Sequence, residues 1–169
     1  MIVKKDIDAL LQLSLEEGAI TAKAIAAHEI VFDERTIHKC QFGCPAYGRY
    51  LTCPPYTPQP SEFEKALRAY RWAILLECDL ADLNRLVVEV EKAAMRSGYY
   101  LALGLKGHRC YLCDECVPAG ESCRDPLNAR PSMSGLGINV FATLEKAGLE
   151  RKLAVDGEDY TSWGMVLID

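Results

Sequence analysis

The stretch WAILLECDLADLNRLVVEVEKAAMRSGYYLALGL, Trp72–Leu105, decides the fold. Trp72 to Glu77 is a short apolar run of the kind that makes a buried strand. Asp79 to Ser97 follows with Leu80, Leu83, Leu86, Val87, Val90 and Ala94 at helical spacing, and Gly98 stops the helix. Tyr99 to Leu105 then reads as a second buried strand. A strand, an amphipathic helix and a strand in succession predict helices layered on a sheet.

The same reading extends outward. Ser61-Glu-Phe-Glu64 has the shape of a capping box, so a helix is expected from there to Tyr70. Asp6 to Ala27 has apolar residues at helical spacing, split by Gly18 into two short helices. His28–Asp33 is β-branched and alternating, which predicts a strand. Residues 35–61 carry Gly43, Pro45, Gly48, Pro54 and Pro55, a loop composition. Downstream, Ser134–Ala147 predicts a helix ending at Gly148, and Gly164–Asp169 a last strand. The expectation is one domain over residues 1–169, of α/β or α+β class. It has a small sheet of about four strands covered by helices. Two cysteine-rich loops, 38–60 and 106–132, interrupt it. Should the strands before them lie side by side, the loops would meet at one sheet edge.

Composition narrows the function. Half of the 169 residues are hydrophobic, enough for a core without staples. The net charge is -5, with acids and bases interspersed, which argues against nucleic acid as a partner. No stretch approaches the roughly 18 apolar residues needed to span a bilayer. The segment Met1–Asp8 is charged and lacks the apolar run of a secretion signal, so a cytoplasmic location is expected. In a reducing compartment eight cysteines read as metal sites before they read as disulfides. The even count keeps a disulfide scaffold as the alternative.

Seven of those cysteines form two groups. Cys40, Cys44 and Cys53 are spaced C-x3-C-x8-C and followed by Pro54-Pro55; Cys110, Cys113, Cys116 and Cys123 are spaced C-x2-C-x2-C-x6-C. Three sulfurs two residues apart wrap around something larger than one ion, and ferredoxins use this spacing for three corners of a [4Fe–4S] cube. A single zinc, with Zn–S bonds of about 2.3 Å, usually takes two separated C-x2-C pairs. The second group therefore favours an iron–sulfur cluster over zinc, with Cys123 as its natural fourth ligand or as a ligand to the other cluster. The first group offers three ligands. It would leave one iron open, recruit Cys78, His38 or Cys123, or hold a structural zinc. An open iron would be a Lewis acid.

Cys78 lies in the apolar run and reads as core. His38 and His108 each precede a cysteine by two residues and read as surface or tuning residues. Lys39, Arg49, Lys106, Arg109, Arg124 and Arg130 crowd the cysteines despite the acidic whole. Of these, Arg49, Arg109 and Arg124 are expected to face a bound cofactor, because a thiolate cluster is a net anion. A solvated loop or an anion site is the alternative. Tyr47, Tyr50, Tyr56 and Tyr111 are expected to screen the site from water. The sequence has no P-loop, G-x-G-x-x-G or C-x3-C-x2-C.

These motifs resemble the DUF2284 family of predicted metal-binding proteins, found mainly in anaerobic bacteria and archaea. The matching segments are Cys40-x3-Cys44-x2-Tyr47-Gly48-x4-Cys53-Pro54-Pro55, Cys110-x2-Cys113-x2-Cys116-x6-Cys123-Arg124-x-Pro126 and Arg130-Pro131-Ser132-Met133, with Gly137–Val140 and Val166–Asp169 also similar. The resemblance implies metal binding, iron–sulfur in kind, and leaves Cys78 outside the pattern. The leading expectation is one or two [4Fe–4S] clusters exchanging electrons with a redox partner protein. The alternatives are an enzyme with an open iron acting on a small anionic or sulfur-containing substrate, and a zinc-stabilised interaction module.

Overall fold

A computed structural model describes residues 4–150 and 161–169. Helix α1 spans Lys4–Glu16, strand β1 Thr21–Ala26, α2 Thr36–Gly43, α3 Pro60–Leu67, β2 Trp72–Asp79, α4 Leu80–Arg96, β3 Leu103–Lys106, α5 Val140–Lys146 and β4 Thr161–Ile168. Single 3-10 turns lie at Ala27–Glu29 and Ser134–Leu136. The strands form one sheet in the order β1-β2-β4-β3, every pairing antiparallel. This is an α+β fold. The α/β alternative is set aside because, among the described residues, no two neighbouring strands run parallel.

The sheet is covered on both faces, which is why β2 reads as an unbroken apolar run. Ile74, Leu76 and Cys78 point to one side, with Val166 and Ile168, against α1 and α4. Ala73, Leu75, Met165 and Leu167 point to the other, against α3, α5 and the Met133–Ile138 turn. The period of two along each strand sorts the side chains into two separate cores. Glu77 ends this pattern: Thr21 and Thr161 on the flanking strands donate to its two carboxylate oxygens at 2.8 and 3.1 Å.

Several expected elements change type or length. The second helix expected up to Ala27 is strand β1, because Gly18 at φ +105° turns the chain and Thr21–Ala26 pairs with Trp72–Glu77 of β2. Its small alanines fit a helix or a half-covered strand equally, and the free edge of β2 decides. The expected strand at His28–Asp33 is a 3-10 turn followed by a single bridge from Phe32 to Ile138. The Glu29 carboxylate accepts from the Ala26 N–H at 2.8 Å and bends the chain there. The loop expected at 38–60 begins within a helix, α2, which carries Cys40. The expected capping box at Ser61 is not used: α3 begins at Pro60, a residue preorganised for the first helical position, with Gln59 as the cap. Strand β3 starts at Leu103, since Tyr99–Ala102 close a turn. The helix expected over 134–147 is broken at Gly137, φ +93°, and restarts with Asn139 accepting from the Ala142 N–H at 3.1 Å.

Helix α4 is pressed unusually close to the sheet. A Cβ on Gly104 would lie 2.5 Å from Val87 Cγ1, and one on Gly164 would collide with Val87 Cγ2 and reach 3.1 Å from Leu83 Cδ1. Val87 thus occupies a notch left by two glycines on adjacent strands. Gly164→Ala should lower stability by about 1–3 kcal/mol through overpacking. Gly43→Ala, in α2 with nothing within 4 Å of the added carbon, should not. Urea unfolding midpoints check this; equal midpoints for both variants would remove the notch from the account.

Candidate metal centre

The first cysteine group is assembled by a helix end and a compact turn. Cys40 lies in α2, Cys44 caps its C-terminus by donating to the Cys40 carbonyl at 3.3 Å, and Tyr47 donates back to Cys44 at 3.2 Å. Gly48, at φ +71°, donates to Pro54 at 2.9 Å and closes the excursion that brings Cys53 back. The Pro54–Pro55 bond is cis. Cys53 is buried, Cys40 partly so and Cys44 exposed. Burial pushes the Cys40 thiol up to about 11, and the neighbouring Cys44 and Cys53 push it the same way. Burial also raises Cys53, while the hydroxyls of Thr52 and Ser132 and the charge of Lys106 pull it back. Cys44 and Cys53 thus both act on Cys40, and Cys44 on Cys53. A metal would have to displace their protons.

The second group lies on a long irregular segment after β3. Its ends are tied down. Gly107 donates to the Trp163 carbonyl at 2.8 Å, Ala129 to the Asp125 carbonyl at 3.0 Å, and Asn84 of α4 to the Asn128 carbonyl at 3.1 Å. Between these ties the backbone bonds little to itself, with Glu121 donating to Pro118 at 3.1 Å. Long loops of this kind are usually functional. Cys110, Cys113, Cys116 and Cys123 all line one cavity, and its other wall is Tyr50, Leu51 and Thr52 of the first group. The two cysteine segments meet, but not by the expected route of two strands lying side by side, because the strand expected before the first is absent.

All eight cysteines are free thiols. That donor set suits a thiophilic metal centre, and four thiols around one cavity supply the ligand number of a zinc site or a cluster. Among the described residues, no three His, Cys, Asp or Glu side chains are gathered tightly enough to hold a single ion. Cys78 is buried in the core beside α4, as expected of a residue outside the pattern.

The cations are used unequally. The Arg109 guanidinium stacks on Tyr50 at 4.6 Å and on Tyr111 at 3.9 Å, donates to the Tyr50 hydroxyl, and reaches the Cys110 carbonyl at 3.3 Å. It staples the first loop to the second. Arg124 donates to the Glu115 carbonyl at 3.0 Å and closes the second loop on itself. The side chains of Arg49, Lys39 and His38 are exposed. Tyr50 is half-buried and walls the second cavity, whereas Tyr56 and Tyr111 are exposed and do not screen it as expected. His108 is pushed down to about 4, by burial first and then by Lys106 and Arg109, so it is neutral near pH 7.

Two groups were not singled out from the sequence. Lys106, at the end of β3, is 2 % exposed, and its ammonium donates to Asn84 Oδ1 at 2.6 Å. Burial lowers its pKa, while Cys110 and Cys53, one from each group, raise it. It is the cation common to both. The second is Glu91 on α4, which takes two hydrogen bonds of 2.6 Å from Arg130 and one from the Gly104 N–H. Its position four residues after Val87, in an apolar stripe, was the available signal that a buried partner exists.

One strip connects these parts. Lys106 N–H donates to Pro131, Met133 N–H to Lys106, and Ser132 N–H to Thr52, at 3.0, 2.7 and 3.0 Å. Residues 130–133 thus bond to both cysteine segments and, through Arg130, to α4.

With this geometry in place, comparison with known proteins gives a consistent answer. The family model for predicted metal-binding protein (DUF2284) matches residues 23–168, nearly the whole chain. The protein belongs to the DUF2284 family. No curated protein and no solved structure matches it.

Two outcomes follow from the site's supports. Removing Glu91 leaves Arg130 buried without its partner, so Glu91→Ala should cost about 3–5 kcal/mol in urea unfolding. Glu17→Ala, which breaks the exposed pair with Arg85, should cost less than about 1 kcal/mol. At the entry to α2, the Arg35 side chain and then its backbone N–H hold the Asp33 carboxyl down to about 2. A lowered carboxylate stabilises the fold above its unfolded value, about 3.9, and loses that effect as pH falls toward 2. In an NMR titration the Asp33 midpoint should lie near 2 and return toward the ordinary value in Arg35→Ala.

Proposed function

We propose that this protein carries one or two [4Fe–4S] clusters and passes electrons between partner proteins in the cytoplasm of an anaerobe. The observation that carries this reading is the C-x2-C-x2-C-x6-C run, whose four thiols line one cavity walled by the other cysteine segment. Cys110, Cys113, Cys116 and Cys123 would hold the firmer cluster; Cys40, Cys44 and Cys53 would hold a second, with three protein ligands. A bound cluster supplies a one-electron couple. The chain's own residues bind it, position it and set its surroundings. Lys106, between the groups, offsets the negative charge of thiolates on both sides. Arg109 fixes the first loop over the second, and Tyr50, Leu51 and Thr52 keep water from the second group's cavity. Electrons would enter and leave by way of a reduced and an oxidised partner at the exposed rim of the cysteine loops.

The three-ligand first group favours a second reading, an iron–sulfur enzyme in which an open iron near Arg49 and Lys39 takes a small substrate. A structural zinc module is the third.

The test is iron, acid-labile sulfide and zinc per chain on protein purified without oxygen. About eight irons and eight sulfides would mean two clusters, and about four of each one cluster. Zinc without sulfide would sink the redox reading. Cys113→Ala should remove about four irons if the second group holds a cluster of its own. An EPR signal altered by small added ligands would favour the open-iron enzyme over the closed carrier.

A further inference from the structure

A second cavity, of about 680 Å³, opens beside the cysteine loops rather than within them. It lies between the start of α4 and the chain leaving β3. One wall is apolar, made by Leu80, Ala81 and Leu83 of the first α4 turn with Tyr111 and Leu112 opposite. The other carries Asn84, Lys106, His108 and Arg109, and Asp79 stands solvated at the rim. None of the seven site cysteines lines it.

Three features select its occupant. Lys106 is almost wholly buried, and among the described residues no carboxylate pairs with it. A buried ammonium costs much free energy unless an anion or several acceptors meet it, and Asn84 satisfies one of its three donors. The 17-residue helix α4 points its N-terminal turn at the same space, and its cap, Asp79, makes no side-chain hydrogen bond there. Free N–H groups and the positive end of the helix dipole favour negative charge. The apolar wall suits a body that is not charged, and the volume lies in the range of small-molecule sites.

We infer that this cavity binds a small organic carboxylate, its carboxylate between Lys106 and the start of α4 and its apolar body against Leu80, Leu83 and Leu112. None of the cysteines lines the cavity, although Lys106 faces it from between the two cysteine groups. The cavity places a ligand next to Arg109, which stacks on Tyr50 across the two loops, and next to Lys106.

The test uses the full chain and calorimetric titration with phenylacetate, with phenylacetamide as the neutral isostere. Phenylacetate should bind, and the amide at least about tenfold more weakly, since a charge-assisted hydrogen bond is lost. Lys106→Met should weaken phenylacetate by a similar factor. Because Lys106 is buried and its loss could unfold the chain, Ala81→Trp provides an independent check. Ala81 is exposed, so the indole fills the cavity mouth without entering the core, and binding should disappear while the urea midpoint holds. Equal affinity for acid and amide, no binding of either, or phenylacetate binding that survives Ala81→Trp would each overturn the inference.

Discussion

The site depends on one strip of four residues, Arg130–Met133. Its backbone hydrogen bonds run to Lys106 on one side and to Thr52 on the other, and Arg130 anchors it to Glu91 on α4. The two cysteine segments, some 60 residues apart in sequence, are otherwise joined by the Arg109–Tyr50 contact and by the cavity that they wall together. The Arg130–Glu91 pair is buried, 12 % and 8 % exposed at the side chains. A buried ion pair is weak evidence for stability but strong evidence for a defined position, since neither charge tolerates a wrong register. Here the Gly104 N–H shares the same carboxylate, so strand, helix and strip are located by a single acceptor group.

From this junction the two halves of the structure differ in character. The sheet and its five helices are held by apolar burial on both faces, with β2 at the centre of two cores. The cysteine loops have little apolar interior of their own and are fixed by polar ties at their margins. The α+β body supplies rigidity, and the loops supply thiols and cations. Such a division is common where a site has to accept a bulky ligand without disturbing the core.

Much of this was legible in the sequence. The apolar run at 72–77 and the amphipathic stripe of 79–97 identify β2 and α4 because each is long and has a single period. The cysteine spacing marked out two thiol-rich segments, but their proximity was not legible from strands, since the strand expected before the first is a 3-10 turn with one bridge. Elements decided by partners were not legible. Thr21–Ala26 is built from residues that fit a helix as well as a strand, and only pairing with β2 settles it. His28–Asp33 has strand composition but no free edge to join beyond one bridge at Phe32. Lys106 was visible only as one cation among six. Its special position arises because β3 ends where both cysteine segments converge, which no local pattern encodes.

The notch that Gly104 and Gly164 leave for Val87 carries a consequence for how this chain can change over evolutionary time. It locks the rotation and the slide of α4 against the sheet, and so holds Asn84 opposite Lys106. Two of the α4 residues that face the neighbouring cavity, Leu80 and Ala81, precede that lock and belong to neither core, unlike Leu83. Selection could therefore exchange them freely, altering what the cavity admits, while the thiol loops stay where the glycines put them. The fold separates what must be inherited intact from what is open to invention.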